Sequence, residues 1–535
     1  MKPHFKLLGT ALSTSLSTLS MALAMSLGSA AVQAKTFTWT ASADALSMDP
    51  YSTNNSFTNA FMANIYEGLV RFNDKVEIEP ALAESWSNVS PTVWRFKLRQ
   101  GVKFHNGETM TADDVVFSWQ RVQTPGSISK LNLADVKDVR KVDAHTVDVE
   151  TKAPFPLLLN ELLNLGIMSK SWSEANNAKD ASDLQQKKEN FANRNTNGTG
   201  PFMVKSREVD VKTVLAANPN WWDKPKHNLS DVVFTPIQSD ATRTSSLLSG
   251  ALDATVNVPL QDVQRINSSG NFTVVQGPEL RTIFLGMDQF RDELLYSDVK
   301  GKNPFKDIRV RKALYQAIDV DAIKRSVMRG VSWPSGSVLA PQLNGAPKNN
   351  ARILPFNADA SKKLLAEAGY PEGFTVGMQC PNNRYVYDEQ ICLAIISMLG
   401  RVGIKITPQI EPVAKWNVRL NTMDVSLYMV GHAGLPMADS YALLYDVAAT
   451  RTANAGGLNA GRYSNPAFDA VLPKIAAELD MGKRNTLMAE AEGILRNDVG
   501  YIPLHQQPIT WAARKGVELK QAPDNQLRLW LVTAP

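Results

Sequence analysis

The stretch YMVGHAGLPMADSY (428–441) passes from an apolar segment into a loop of glycine, proline and small residues. Its only imidazole is His432 and its only carboxylate is Asp439. Outside the N-terminal segment five histidines occur, at 105, 145, 227, 432 and 505, and no two have the spacing of a zinc site. No metal is therefore expected, and His432 reads as a cleft-lining or packed imidazole. The chain has no G-x-S-x-G elbow, no H-E-x-x-H, no P-loop and no G-x-G-x-x-G. Asp113 and Asp114 open a helical pattern, where helix-end electrostatics explains paired acids better than acid–base catalysis. This inventory gives no reason to expect an enzyme, and no cofactor is expected.

Such residues need elements to hold them, and 356–430 supplies a clear series. FNADASKKLLAEAGY (356–370) has a capping start and a glycine stop, as a helix requires. FTVGMQC (374–380), IKITPQI (404–410) and DVSLYMV (424–430) read as strands. Between them lie the helical patterns DEQICLAIISMLGRV (388–402) and PVAKWNVRLN (412–421). Strands alternating with helices across short connections predict a parallel α/β sheet. Ligands bind such sheets beyond the carboxyl ends of the strands. Arg384 in PNNRY, Trp416 in EPVAKW, and Gly431 with His432 in GHAGLP are then expected to converge on one edge.

The first third has a different texture. VWRFKLR (93–99) alternates apolar and basic residues, the mark of a half-buried strand, and VRKVDAHTVDVET (139–151) reads as two strands around a turn. TADDVVFSWQRV (111–122) begins with a capping residue and early acids and is expected to be helical. DATRTSSLLSGALDATV (240–256) reads as a helix stopped at Gly250 and followed by a strand. NRNTNGTGPF (193–202) reads as a tight turn, and no linker-like tract divides the chain.

Lys2 and Lys6, an apolar but Ser/Thr-bearing middle, and small residues up to Ala34 give 1–34 the form of a secretory signal peptide. The remaining 535 − 34 = 501 residues exceed one core and suggest two or three domains. Of 57 Lys and Arg, two lie in that segment, and with 52 acids the remainder carries 55 − 52 = +3. That evenly mixed charge argues against nucleic acid or an anionic membrane as the main partner. Cys380 and Cys392, the only cysteines, lie far from the cleavage site, which excludes a lipid-modified N-terminal cysteine. In an exported protein they are a candidate disulfide; the other reading is two buried thiols.

SMDPY (47–51), ANIYEGLVRF (63–72), PALAESW (80–86), WRFKLRQGVKFHNGETMTADDVVFSWQR (94–121) and NGTGPF (197–202) occur in order. PFKDIRVRKALYQAID (304–319), ASKKLLAEAGYPEGF (360–374) and GRYSNPAFD (461–469) follow. Together they closely resemble the large solute-binding proteins of bacterial ABC importers, the family 5 group with dipeptide-, oligopeptide-, nickel- and glutathione-binding members. The resemblance implies an α/β, two-lobed periplasmic binding protein of the type II, Venus-flytrap kind, with an extra β-rich subdomain in the first lobe. It places lobe I at 35–80, 197–277 and 505–535, the inserted subdomain at 81–196 and lobe II at 278–504. ELRTIFLGMD (279–288) and YIPLHQQ (501–507) become the crossings between lobes. It also implies a periplasmic monomer that hands a small molecule or short peptide to an inner-membrane permease and its ATPase.

In dipeptide-binding relatives the loop after the third strand carries an aspartate for the peptide's amino group, and the loop after the first carries an arginine for its carboxylate. By that likeness Arg384 reads a carboxylate, whereas Leu435 stands where the acid is expected. Asp439 is either a displaced substitute or the cap of the next helix. Trp416 and Tyr385 are candidate apolar walls, and Tyr51, Asn54 and Asn55 candidate cleft residues of the first lobe. The expected ligand is an organic acid or a peptide-like solute with its amino end masked or bound elsewhere. The alternatives are an ordinary di- or oligopeptide, a nickel- or haem-type ligand, and a non-transport binding or chaperone role on the same scaffold.

Overall fold

A computed structural model describes residues 35–435 and 437–535. The candidate signal peptide, 1–34, lies outside the described residues. Among those described, no helix is long and apolar enough to cross a membrane.

Local sequence dictates most elements. Trp94, Phe96 and Leu98 of the strand Val93–Leu98 are buried on one face, as its alternation requires. The helix Ala112–Val122 starts at a capping box: Thr111 accepts from the Asp113 amide, and the Asp114 carboxylate accepts from the Thr111 amide at 2.9 Å. Val136–Asp143 and Thr146–Thr151 form the expected antiparallel pair. With Ala83–Ser90 and Val93–Leu98 they make a separate four-stranded antiparallel sheet, in the order 83–90, 93–98, 146–151, 136–143. Gly198 and Gly200 do sit in a turn, but for close approach rather than a left-handed backbone. A Cβ on them would lie 2.0 and 2.6 Å from the Ile65 carbonyl oxygen.

The remaining large sheet has eleven strands. At one end Phe374–Pro381 runs parallel to Ile404–Glu411 on one side and Leu427–His432 on the other, as the alternating pattern predicts. At the far end Lys35–Ala41 pairs in parallel with Leu229–Pro236, which continues into Lys212–Ala217 and Phe202–Glu208. Two long antiparallel strands, Phe272–Met287 and Ile502–Arg514, join the halves. Their register shifts between Pro278 and Thr282 and again between Ile283 and Phe284, so the ladder bends where the two halves meet.

Two large hydrophobic cores flank these strands, with a small third one around Leu247, Ile266 and Phe272. One gathers side chains from Phe37 to Val256 and again from Ile509 to Val532; the other is built almost wholly from Leu280 to Leu504. The four-stranded sheet shares the first core and is tied to it by a buried ion pair. Arg121 donates to both carboxylate oxygens of Asp49 at 2.7 and 2.6 Å, with both side chains wholly shielded from solvent. Glu67 is likewise enclosed, accepting from the Trp221 and Trp222 indoles and the Thr199 hydroxyl. Burial raises its pKa above the usual carboxylate range.

Candidate functional site

Three loops leave the carboxyl ends of the parallel strands, and each is braced from behind. In the first, the Asp388 carboxylate accepts from the Arg384 and Tyr385 amides at 2.8 and 3.0 Å. Gln507, on the second crossing strand, accepts from the Val386 amide at 3.0 Å. A disulfide joins Cys380, at the end of the strand, to Cys392 in the helix Asp388–Gly400, closing the loop at its base. The second loop enters the helix Val413–Asn421 at once, which puts Trp416 one turn in. In the third, the Gly431 amide donates to the Tyr385 hydroxyl at 2.9 Å. A Cβ at Gly431 would lie 2.5 Å from Ile283 Cδ1 and 3.1 Å from the Tyr385 ring, so only glycine lets the loops meet this closely.

They enclose a cavity of about 290 Å³, near the lower end of small-molecule sites. Arg384, Tyr385, Trp416, Gly431, His432 and Leu435 all line it. Tyr385 and Trp416 meet edge to face with ring centroids 6.1 Å apart and form an aromatic wall. The Trp416 indole nitrogen is buried without a partner among the described residues. The Arg384 guanidinium lies over the Tyr385 ring, 5.4 Å from its centroid, and forms no ion pair among the described residues.

Sequence reasoning overlooked Arg281, Phe284 and Ser56, which also line the cavity. Arg281 and Phe284 belong to the first crossing strand, whose pattern reads only as a strand; no local signal marks which side faces a ligand. Arg281 reaches toward the Gly431 carbonyl at 3.5 Å, and its Nε lies 3.4 Å from Glu279. Among the described residues the lining holds two arginines and one histidine, and neither aspartate nor glutamate.

His432 Nδ1 accepts from the Gly434 amide at 2.9 Å, so in the neutral ring the proton sits on Nε2. Burial, and then the positive charge of Arg281, lower its pKa to about 4. At neutral pH it is an uncharged donor. No three metal-ligating side chains cluster among the described residues.

Four expected contacts lie elsewhere. Asp439 caps the helix Ser440–Ala448, its carboxylate accepting from the Tyr441 amide at 2.9 Å. The same carboxylate takes both Arg484 amino groups at 2.7 and 2.9 Å and the Asn344 amide at 2.8 Å. Fully engaged and buried, it has no capacity left for a ligand amine. Tyr51 is wholly buried, with its hydroxyl on the Gly166 carbonyl. Asn55 caps the helix Ser56–Met62, and Asn54 accepts from Asn132 at 3.4 Å. Ser56 is the neighbour that borders the cavity instead.

Comparison with known proteins identifies the family. The model of the bacterial extracellular solute-binding proteins, family 5, matches residues 77–454. Among curated proteins, the periplasmic oligopeptide-binding protein OppA of Salmonella typhimurium is 26% identical over 490 residues, spanning 86% of this chain and 84% of that one. Heme-binding protein A of Haemophilus influenzae is 27% identical, spanning 83% and 82%. Among solved structures, HbpA2 of Haemophilus parasuis superposes with a TM-score of 0.81 at 24% identity, covering 94% of this chain and all of that one. The unliganded open form of the murein tripeptide-binding protein MppA gives 0.77 at 23% identity, covering 94% and 97%. With a family match over most of its length and a two-lobed α/β fold, the chain belongs to family 5 of the bacterial extracellular solute-binding proteins, substrate-binding components of ABC importers.

Proposed function

We propose that this protein is the periplasmic receptor for a small, carboxylate-bearing, peptide-like solute whose amino end is masked or absent. One observation carries the reading: the cavity is lined by Arg281, Arg384 and His432 and by no acid. An ammonium group enclosed there would lose its hydration with no counter-charge, a cost of several kcal/mol. A carboxylate would meet the Arg384 fork, already set against the Tyr385 ring. The cavity's size suits a small molecule or short peptide.

In this reading 35–80, 197–277 and 505–535 form lobe I, 81–196 its inserted subdomain and 278–504 lobe II. The division between the two large hydrophobic cores supports the split between lobe I with its subdomain and lobe II. The lobes close on the solute about the two long strands, and a monomer presents it to an inner-membrane permease coupled to an ATPase. The segment 1–34 directs export and is then removed, without lipid attachment, as the position of both cysteines supports. N-terminal sequencing of the exported protein should begin at Lys35; a start at Met1 would contradict it.

The ligand reading is tested by thermal stabilisation of protein stripped by unfolding and refolding. N-acylated dipeptides or simple carboxylates should stabilise it, by about 2.7 kcal/mol at one hundred times the dissociation constant. Free dipeptides should not, and Arg384→Gln should abolish the shift while leaving the unliganded melt in place. Strongest stabilisation by free dipeptides would refute the reading.

A further inference from the structure

Resting on that carboxylate reading, we infer that the solute carries a second anionic group, and that Arg281 with His432 receives it. Arg384 and Arg281 approach the Tyr385–Gly431 contact from different elements. Arg384 lies over the face of the Tyr385 ring, whereas Arg281 reaches toward the Gly431 carbonyl, beside the Tyr385 hydroxyl. One monoanion held by the Arg384 fork leaves the Arg281 side of the cavity without a ligand charge.

Arg281 is held but not saturated. Its Nε faces Glu279 at 3.4 Å, and the same Glu279 oxygen already takes Gln507 at 2.7 Å. Its Nη1 reaches the Gly431 carbonyl at 3.5 Å, and its Nη2 has no protein partner among the described residues. Two contacts thus fix the plane of the guanidinium while a donor remains for a ligand. With only 18% of the side chain exposed, the guanidinium relies on Glu279 for its counter-charge, and that contact is long and shared with Gln507.

His432 completes the subsite. The Gly434 amide occupies Nδ1, so Nε2 is a donor in the neutral ring and remains one if the ring is protonated. Arg281 precedes Thr282, the strand partner of His432, and both side chains line the cavity, which places its positive field at this wall. A neutral polar group would use the hydrogen bonds but leave that field balanced by Glu279 alone, which it shares with Gln507; a second carboxylate answers both. The ligand class is therefore a short diacid of peptide-like character, one acid on Arg384 and the other on Arg281 and His432.

The experiment is calorimetric titration of stripped protein with N-acetyl-Ala-Ala, N-acetyl-Ala-Asp, N-acetyl-Ala-Glu and the matching Asn and Gln peptides. At least one diacid should bind about tenfold or more tightly than its amide, as a charge-assisted hydrogen bond implies. In Arg281→Gln that ratio should collapse toward one, in Arg281→Lys it should persist in part, and Arg384→Gln should weaken every probe. Amides binding as tightly as the acids in the native protein would overturn the second anionic group alone, provided N-acetyl-Ala-Ala still binds. A diacid preference unchanged in Arg281→Gln would overturn the role of Arg281. No binding by any acetylated probe would remove the carboxylate reading and this inference together.

Discussion

Asp439 and Arg384 show how differently two charged loop residues are used. Asp439 meets three separate partners and is enclosed, so its charge belongs to the scaffold. Asp439→Ala should cost about 3–5 kcal/mol in a denaturant melt, because Arg484 is left buried and unpaired. Ligand affinity of the folded fraction should hardly change; a large affinity loss with normal stability would instead return Asp439 to the cleft. Arg384 has no such engagement, which leaves its guanidinium available to a solute. The family-like stretches follow the Asp439 pattern. Asp49 pairs with Arg121, Glu67 receives two tryptophans, and Arg311 donates to Asp498 at 2.7 Å. These residues make the chain recognisable because they hold it together.

At the scale of elements, the alternation of strands and helices over 356–430 was legible because each segment carries its own periodicity and cap. The helix Ala358–Glu367 starts at Asn357, whose side chain accepts from the Ala360 amide at 2.9 Å. The first ligand loop depends more on its closure by Cys380 and Cys392, twelve residues apart. Cys380→Ser with Cys392→Ser, or reduction of the native protein, should lower stability by about 2–4 kcal/mol. It should also weaken binding, since the loop carrying Arg384 must then be ordered on ligand capture. An unchanged melt under reductant would show that the packing of Tyr385 and Asp388 suffices without the bond. The contribution of the first crossing strand was not legible. Arg281 looks like any alternating polar residue until the neighbouring strands are in place.

For the whole molecule, buried imidazoles make stability depend on pH. Burial lowers His105, His432 and His505 to about 4, against the ordinary 6.5. The unfolded chain therefore takes up protons through 6.5 that the folded chain accepts only near 4. Each histidine thus withdraws stability as pH falls across that window, and the loss levels off below it. Glu161, raised by burial to about 8, acts oppositely: its protonated folded form favours folding more as pH falls from 8 toward 4.5. A single residue is best isolated by difference. His505 lies on the second crossing strand with its Nε2 buried and unpartnered among the described residues. In His505→Leu, the stability lost between pH 6.5 and 4 should be smaller than in the native protein. An identical slope in the two proteins would show that His505 is solvated in the native state.

The sequence alone determined the strands, helices, caps and α/β class of the second half, because periodicity and capping act over a few neighbouring residues. It also located the three loops at one sheet edge, since a parallel βαβ series leaves no other edge for them. Only the tertiary structure decided that Asp439 faces Arg484, 45 residues later, rather than the cleft. It likewise brought Arg281 beside Gly431, 150 residues away. Such pairings depend on strand order and on the packing of two cores across shared strands, and no local pattern records them.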